Sequence, residues 1–314
     1  MIPIVTIEGP TAVGKSKFAF EIAKILDTEI ISADSRQVYK YLDIGTAKPS
    51  LRMLKKTPHH LISIIDPKEN YNAGRFTEDA DEVIADLHKR DRIPLIVGGT
   101  GFYVKSLRQG LFKAPVIPDY VREKLESESN KLGSRDMFER LEQIDPIAAA
   151  RIDPNDLQRI IRALEVFEYT NKPISKHWQE QRGEEKYHPF SIFVTRERNK
   201  LYEAINNRVD KMMDSGLLQE VDNVLISGYT FEDPGLNTLG YKEFRMLYEN
   251  RNSLHEVADK IKQHTRNYAK RQFTWYRKCK FDLTLSADEI IISKVIKEIG
   301  EYMNIIKRRA DDNC

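Results

Sequence analysis

A strand, a glycine-rich turn and a helix follow one another at the start of this chain, and no other segment constrains the fold as much. Ile4 to Ile7 form a short apolar run, and Gly9-Pro10-Thr11-Ala12-Val13-Gly14-Lys15-Ser16 then fits the pattern GxxxxGK[ST]. Phe18, Ile22, Ala23 and Leu26 recur at helical spacing after it. In such a turn the backbone N–H groups converge on phosphate oxygens at a helix N-terminus; Lys15 adds a point charge, and the Ser16 hydroxyl is placed to hold a magnesium ion. A chance glycine-rich turn would lack the flanking strand and helix that give the pattern its meaning. The segment implies a bound di- or triphosphate. It does not say which, because nothing in the loop reads the rest of the ligand.

The alternation continues downstream, as a parallel α/β sheet requires. Glu29-Ile30-Ile31-Ser32 reads as a second strand and His60 to Ile65 as another. Phe76, Ala80, Val83, Ile84 and Leu87 mark a helix, and Ile93 to Val97 a buried strand that runs into Gly98-Gly99-Thr100-Gly101. Residues 114–190 change texture: they are rich in charge and helix formers and include Arg159, Arg162 and Arg182. Ser191 to Thr195 looks like a returning strand, followed by a helix carrying Leu201, Ile205, Val209 and Met212. The expected fold is α/β: a P-loop-type parallel sheet core with flanking helices, built from 1–113 and 191–314, and a mostly helical insertion domain at 114–190. The polar tail from Lys307 to Cys314 is expected to fray.

Bulk properties exclude several classes. The formal net charge of +2 on 314 residues does not by itself indicate a nucleic-acid partner. Two cysteines, Cys279 and Cys314, form neither a zinc pattern nor a disulfide framework, so a reducing, cytoplasmic setting is expected. No apolar run approaches a membrane span, and the first residues enter a strand without the pattern of a signal peptide. No membrane partner is expected.

Ligands of open parallel sheets bind beyond the carboxyl ends of the strands. The phosphate loop, Asp34-Ser35-Arg36-Gln37 and Gly98 to Gly101 all follow strands and are expected to share one crevice. Asp34 there can accept a proton from a nucleophile or support magnesium, although an aspartate is equally at home as a turn former. Thr100 offers a hydroxyl inside a turn whose glycines allow close backbone approach. Leu61-Ile62-Ser63-Ile64-Ile65-Asp66 resembles the apolar strand ending in a magnesium-holding Asp of nucleotide hydrolases, but Pro67 follows directly, as in an ordinary turn. Late in the chain, Leu254 to Lys280 carries eight Lys and Arg residues against Glu256 and Asp259, interleaved with Tyr268, Phe273, Trp275 and Tyr276. Basic side chains with aromatic neighbours suit RNA; a solvated helix face with inward aromatics would read the same way.

These segments together resemble the bacterial tRNA dimethylallyltransferases (tRNA isopentenyltransferases). The likeness is carried by GPTAVGKS at 9–16, ISADSRQVYKYLDIGTAKP at 31–49, PHHLISIIDP at 58–67 and GGTGFYVKSL at 98–107. It continues through NDLQRIIRALEVFEYTNKPIS at 155–175, LGYKEF at 239–244 and TRNYAKRQFTWYRK at 265–278. The matches span nearly the whole chain in family order. The departures are Val13 where Ser is frequent and Ser16 where Thr is frequent. The cysteine/histidine finger of eukaryotic relatives has no counterpart in these residues, which leaves RNA recognition to the insertion and the basic segment.

The resemblance implies transfer of a dimethylallyl group from dimethylallyl diphosphate to the exocyclic amine of an adenosine. That adenosine lies 3′-adjacent to the anticodon in tRNAs reading codons that start with U. By this likeness Gly9 to Ser16 and Arg208 grip the donor diphosphate with Mg2+, Asp34 is the general base, and Thr100 lies near it. Asp34, Ser35, Arg36, Gln37 and Thr100 contact tRNA, as do Gln158, Arg159, Ile160, Ile161 and Arg162. The implied partner is the tRNA anticodon stem-loop, bound by a monomer, with the target base flipped from its stack. Two other readings are weighed against it: a small-molecule phosphotransferase or NTPase using Asp66, with prenylation of a free adenine nucleotide as a related variant, and a non-enzymatic RNA-binding module. The first needs neither the insertion nor the basic segment, and the second does not need Asp34 with the Gly98–Gly101 turn.

Overall fold

The computed structural model describes residues 1–110, 116–180, 186–249, 251 and 253–311. The core begins with β1 (Ile2–Glu8), α1 (Lys15–Ile25), β2 (Ile30–Ser32), α2 (Leu51–Lys56) and β3 (His59–His60), followed by α3 (Ala73–Lys89), β4 (Leu95–Gly98) and α4 (Gly101–Gln109). A helical stretch follows: α5 (Asp119–Leu132), α6 (Ser134–Ile144), α7 (Pro146–Ala149), α8 (Leu157–Thr170) and α9 (Ile174–Glu180). The chain then returns through β5 (Tyr187–Thr195), α10 (Arg198–Asp214) and α11 (Leu217–Ile226), and through α12 (Arg245–Tyr248), α13 (Leu254–Tyr276), β6 (Leu283–Ser286) and α14 (Ile292–Asp311).

All six strands are parallel and lie in the order β3-β2-β4-β1-β5-β6. The central β1 is covered on both faces, and Ile4, Val5, Thr6 and Ile7 are fully buried, as a strand between helical layers must be. Val5, Ile7, Phe18, Ile22, Ile192, Leu201, Ile205 and Val295 join its core. A second apolar cluster packs Val38, Leu42, Val209, Leu217, Tyr241, Phe244 and Ile261. Gly98 ends β4 so close to β2 that a Cβ there would stand 2.0 Å from the Ala33 carbonyl oxygen, so only glycine lets the two strand ends meet.

Two compact units emerge: 1–108 with 185–314, and 109–184. The second is all helical among its described residues, with its own core of Leu125, Leu141, Ile160, Leu164 and Val166. Within it Asp145 caps α7 through the Ala148 N–H (3.0 Å) and also accepts the Ser175 N–H (2.8 Å).

Three expectations need correction. The strand expected from His60 to Ile65 stops at His60, because Leu61 (φ 61°) and Ser63 (φ 55°) enter the left-handed region and break the pleat. Ile65 then makes only an isolated bridge to Tyr39. The tail is helical through Asp311 as the last turns of α14; Cys314, like Arg182, lies outside the described residues. Tyr187 to Phe190, expected in the insertion, already pair with β1. Among the described residues no helix is long and apolar enough to cross a membrane.

Candidate active site

Because β2, β4 and β1 are neighbours, the turns that follow them open into one cleft of about 990 Å³. It is lined by Thr11, Ala12, Gly14, Lys15 and Ser16 from the loop, Asp34 and Gln37 from the second turn, Gly98 and Gly99 from the third, Arg208 from α10, and Tyr268 and Gln272 from α13. The loop passes through three positive-φ residues, Gly9 (φ 155°), Ala12 (φ 62°) and Gly14 (φ 105°), before α1 begins at Lys15. Val13 is fully buried, so its side chain anchors the loop in the core and only its backbone can serve a ligand.

Lys15 folds back over its own loop: Nζ donates to the carbonyls of Gly9 (2.8 Å) and Pro10 (2.7 Å). Burial pulls its ammonium down to about 7; the charges of Asp34 and Glu8 oppose that and Arg208 reinforces it. Glu8, at the end of β1 and 4% exposed, is pushed up to about 7 by burial, against the pull of Arg108, the Thr6 hydroxyl and Lys15. Arg208 donates to the Thr11 hydroxyl (3.3 Å), and burial lowers its pKa while Asp34 raises it. Three cations and two carboxyl groups thus converge where the loop closes.

Asp34 is half-buried. Its Oδ1 accepts the N–H groups of Arg36 (2.9 Å) and Gln37 (3.4 Å), a turn of the kind aspartates form, while no bond to Oδ2 occurs among the described residues. The turn-former and cleft-residue readings are therefore both true of it. Thr100 accepts the Ser35 N–H at 3.2 Å, joining the second and third turns. Gln37 is buried and saturated: Oε1 accepts from the Ser32 hydroxyl (3.1 Å), and Nε2 donates to the carbonyls of Thr46 (3.3 Å) and Ala47 (3.2 Å). Arg36 is exposed.

The segment 43–47 that follows is held by Glu220 of α11. Its carboxylate accepts the N–H groups of Asp43 (2.9 Å), Ile44 (2.8 Å) and Gly45 (3.2 Å) and the Tyr241 hydroxyl (2.6 Å). Charge-assisted bonds of this kind are the stronger class, and they fix one wall of the cleft from a distant part of the chain.

Other expected residues separate. Asp66 stands outside the cleft lining: it accepts from the Tyr229 hydroxyl (2.7 Å) and the Lys68 N–H (2.9 Å), chiefly the former holding its carboxyl below the usual range. It is the turn aspartate that Pro67 suggested. In the helical unit, Gln158 and Arg159 are exposed on α8, and Arg162 donates to Glu165 (3.0 Å). Ile160 and Ile161 are 0% and 4% exposed; helical spacing turns them into that unit's core, so their side chains are withdrawn from any RNA. The basic segment is the helix α13, capped by Ser253 and Glu256. Its aromatics do not form an outer stacking platform: Tyr276 is buried, Phe273 packs on the core, Tyr268 lines the cleft and Trp275 sits edge-on to Phe102. Lys260, Lys270, Arg271, Arg277 and Lys278 are exposed on the other side.

Sequence reasoning did not single out Gln272 or Glu8. Gln272 was recoverable, since it interrupts the inward stripe Ile261, Thr265, Ala269 and Tyr276, and an amide on a buried stripe requires partners.

Known proteins share this sequence and fold. The IPP transferase family model matches residues 37–279. A tRNA dimethylallyltransferase of Syntrophobacter fumaroxidans is 47% identical over 88% of this chain and 81% of its own length. One of Caldanaerobacter subterraneus subsp. tengcongensis is 42% identical over 96% and 98%. Among solved structures, the full-length tRNA isopentenylpyrophosphate transferase of Bacillus halodurans superposes with a TM-score of 0.70 at 36% identity, covering 97% of this chain and 96% of its own. A eukaryotic dimethylallyltransferase described as acting on tRNA gives 0.79 at 30% identity, covering 91% and 74%. Sequence and fold agree, and the chain belongs to the IPP transferase family.

Proposed function

We propose that this chain is a tRNA dimethylallyltransferase. It moves the dimethylallyl group of dimethylallyl diphosphate to the exocyclic amine of the adenosine 3′-adjacent to the anticodon in tRNAs reading U-starting codons. The observation that carries this reading is the shared cleft: a phosphate loop with Lys15 and Arg208 opens onto the same space as Asp34, and Thr100 is tied to the Asp34 turn through the Ser35 N–H. An NTPase built on Asp66 lacks that support, because Asp66 is committed to Tyr229 outside the cleft.

In this mechanism the loop N–H groups, Lys15 and Arg208 hold the diphosphate and take up the charge that grows on it as the allylic C–O bond breaks. The adenine amine forms the new C–N bond and passes its proton to Asp34, whose turn hydrogen bonds aim the carboxylate into the cleft. Thr100, fixed by Ser35, orients the amine, and alignment of amine and allylic carbon supplies much of the rate. The flipped base reaches this space past Asp34 to Gln37, with Gln158, Arg159 and Arg162 and the outer face of α13 meeting phosphates. The donor set fits Mg2+: the exposed Ser16 hydroxyl lines the cleft beside the loop, and magnesium sites typically combine few protein oxygens with substrate phosphates and water. When bound it would neutralise leaving-group charge. The enzyme acts as a cytoplasmic monomer in this reading.

The decisive assay mixes purified protein, Mg2+, labelled dimethylallyl diphosphate and unmodified tRNA. Label is expected in the tRNA, and no transfer accompanied by ATP hydrolysis would replace this reading with the NTPase one. A pH dependence follows as well. The free loop holds Lys15 near 7, and a bound diphosphate favours its charged form, so donor binding takes up a proton above that pH. Donor affinity is expected to fall as pH rises from 7 to 9, approaching tenfold per unit at most, with ionisation of Glu8 acting in the same direction. Titrations of wild type beside Lys15→Arg check this; an equal decline in the arginine variant assigns the effect elsewhere.

A further inference from the structure

We propose that Gln272 is a positioning residue that locks the donor-holding loop to the turn bearing Thr100, so that leaving group and attacking amine are held in one register. The inference rests on the transferase reading above. Gln272 lies on α13 and is 6% exposed. Its Oε1 accepts the Thr11 N–H at 2.8 Å, and its Nε2 donates to the Gly99 carbonyl at 2.8 Å. The partners fix the orientation of the amide, since an N–H needs an acceptor and a carbonyl needs a donor.

The two bonds connect the turn after β1 with the turn after β4, one carrying the diphosphate grip and the other the acceptor side. Thr11 is held twice, its N–H by Gln272 and its hydroxyl by Arg208 at 3.3 Å. Gly99 is shaped to this amide: a Cβ there would stand 2.6 Å from Nε2. Tyr268, one helical turn earlier, interacts with Thr100 and feels the charge of Asp34, so the same helix face touches both halves of the cleft. Loss of register of about 1 Å between reacting groups costs on the order of a hundredfold in rate, and a strut between the two turns guards against that loss.

Gln272→Met keeps the side-chain length and removes both bonds; Gly99→Ala pushes the amide away without altering it. Each variant is expected to bind inorganic pyrophosphate and unmodified tRNA separately within about threefold of wild type, yet to transfer the prenyl group on the order of a hundredfold more slowly in single turnovers at saturating substrates. The double variant is expected to be no slower than the worse single one, because both remove the same strut. Should Gln272→Met fail to fold, Gly99→Ala carries the test alone. Transfer at the wild-type rate in the folded variants, or a defect confined to pyrophosphate or tRNA affinity, overturns the proposal. A wild-type protein that transfers nothing overturns the transferase reading instead.

Discussion

Asp34→Ala is expected to lower the single-turnover rate of prenyl transfer by about 10²–10⁴-fold, the span typical of a positioned general base, while tRNA affinity stays near the wild-type value. An exocyclic adenine amine is a poor nucleophile, so losing the group that accepts its proton acts on the chemical step. The substitution also removes an acceptor from the Arg36 and Gln37 N–H groups. Asp34→Asn separates the two effects: its side-chain oxygen can still serve the turn, but it cannot take the proton. Equal losses in both variants, measured by quenched-flow transfer at saturating substrates, support the base. A mild defect in Asn beside a severe one in Ala makes Asp34 a turn former only, and full activity in Ala removes it from the chemistry.

Lys15→Ala is expected to act on the other substrate. Its ammonium rests on the Gly9 and Pro10 carbonyls and leaves them for a diphosphate oxygen with little rearrangement. A charge-assisted hydrogen bond of this kind is worth about 2–3 kcal/mol, so donor affinity should fall on the order of 10²-fold. Thermal stability should barely change, because burial penalises the charged lysine in the free protein. Calorimetric titration with dimethylallyl diphosphate in the absence of tRNA measures this directly. Unchanged donor affinity would contradict the phosphate-loop role.

Much of this site is legible in the sequence, because it depends on local patterns and one topological rule. A strand, GxxxxGK[ST] and a helix are contiguous, and placing turns beyond the carboxyl ends of strands is enough to expect Lys15, Asp34 and the Gly98-Gly99 turn around one cleft. The failures have a common origin in features that periodicity cannot see. Leu61 and Ile65 are buried as a strand would have them, yet positive φ at Leu61 and Ser63 cancels the strand and leaves Asp66 facing Tyr229. Ile160 and Ile161 fall inside a quoted motif whose helical register turns them inward. Gln272 acquires its meaning only from partners 261 and 173 residues away, a relation no window along the chain contains.

The way the sheet closes has a consequence for synthesis. Glu8 at the end of β1 pairs with Phe193 of β5, so one side of the central strand has no neighbour until the helical unit has been made. At about 5–20 residues per second, that leaves the strand half-paired for roughly 5–20 s on the ribosome after β4 has been made. The unit at 109–184 carries its own core and can fold during that delay. The nascent N-terminal part must wait with an open strand edge, the kind of surface that recruits chaperones or other chains. Chain order thus completes the helical unit before the sheet that flanks it in sequence, although the phosphate-loop motif of that sheet precedes both.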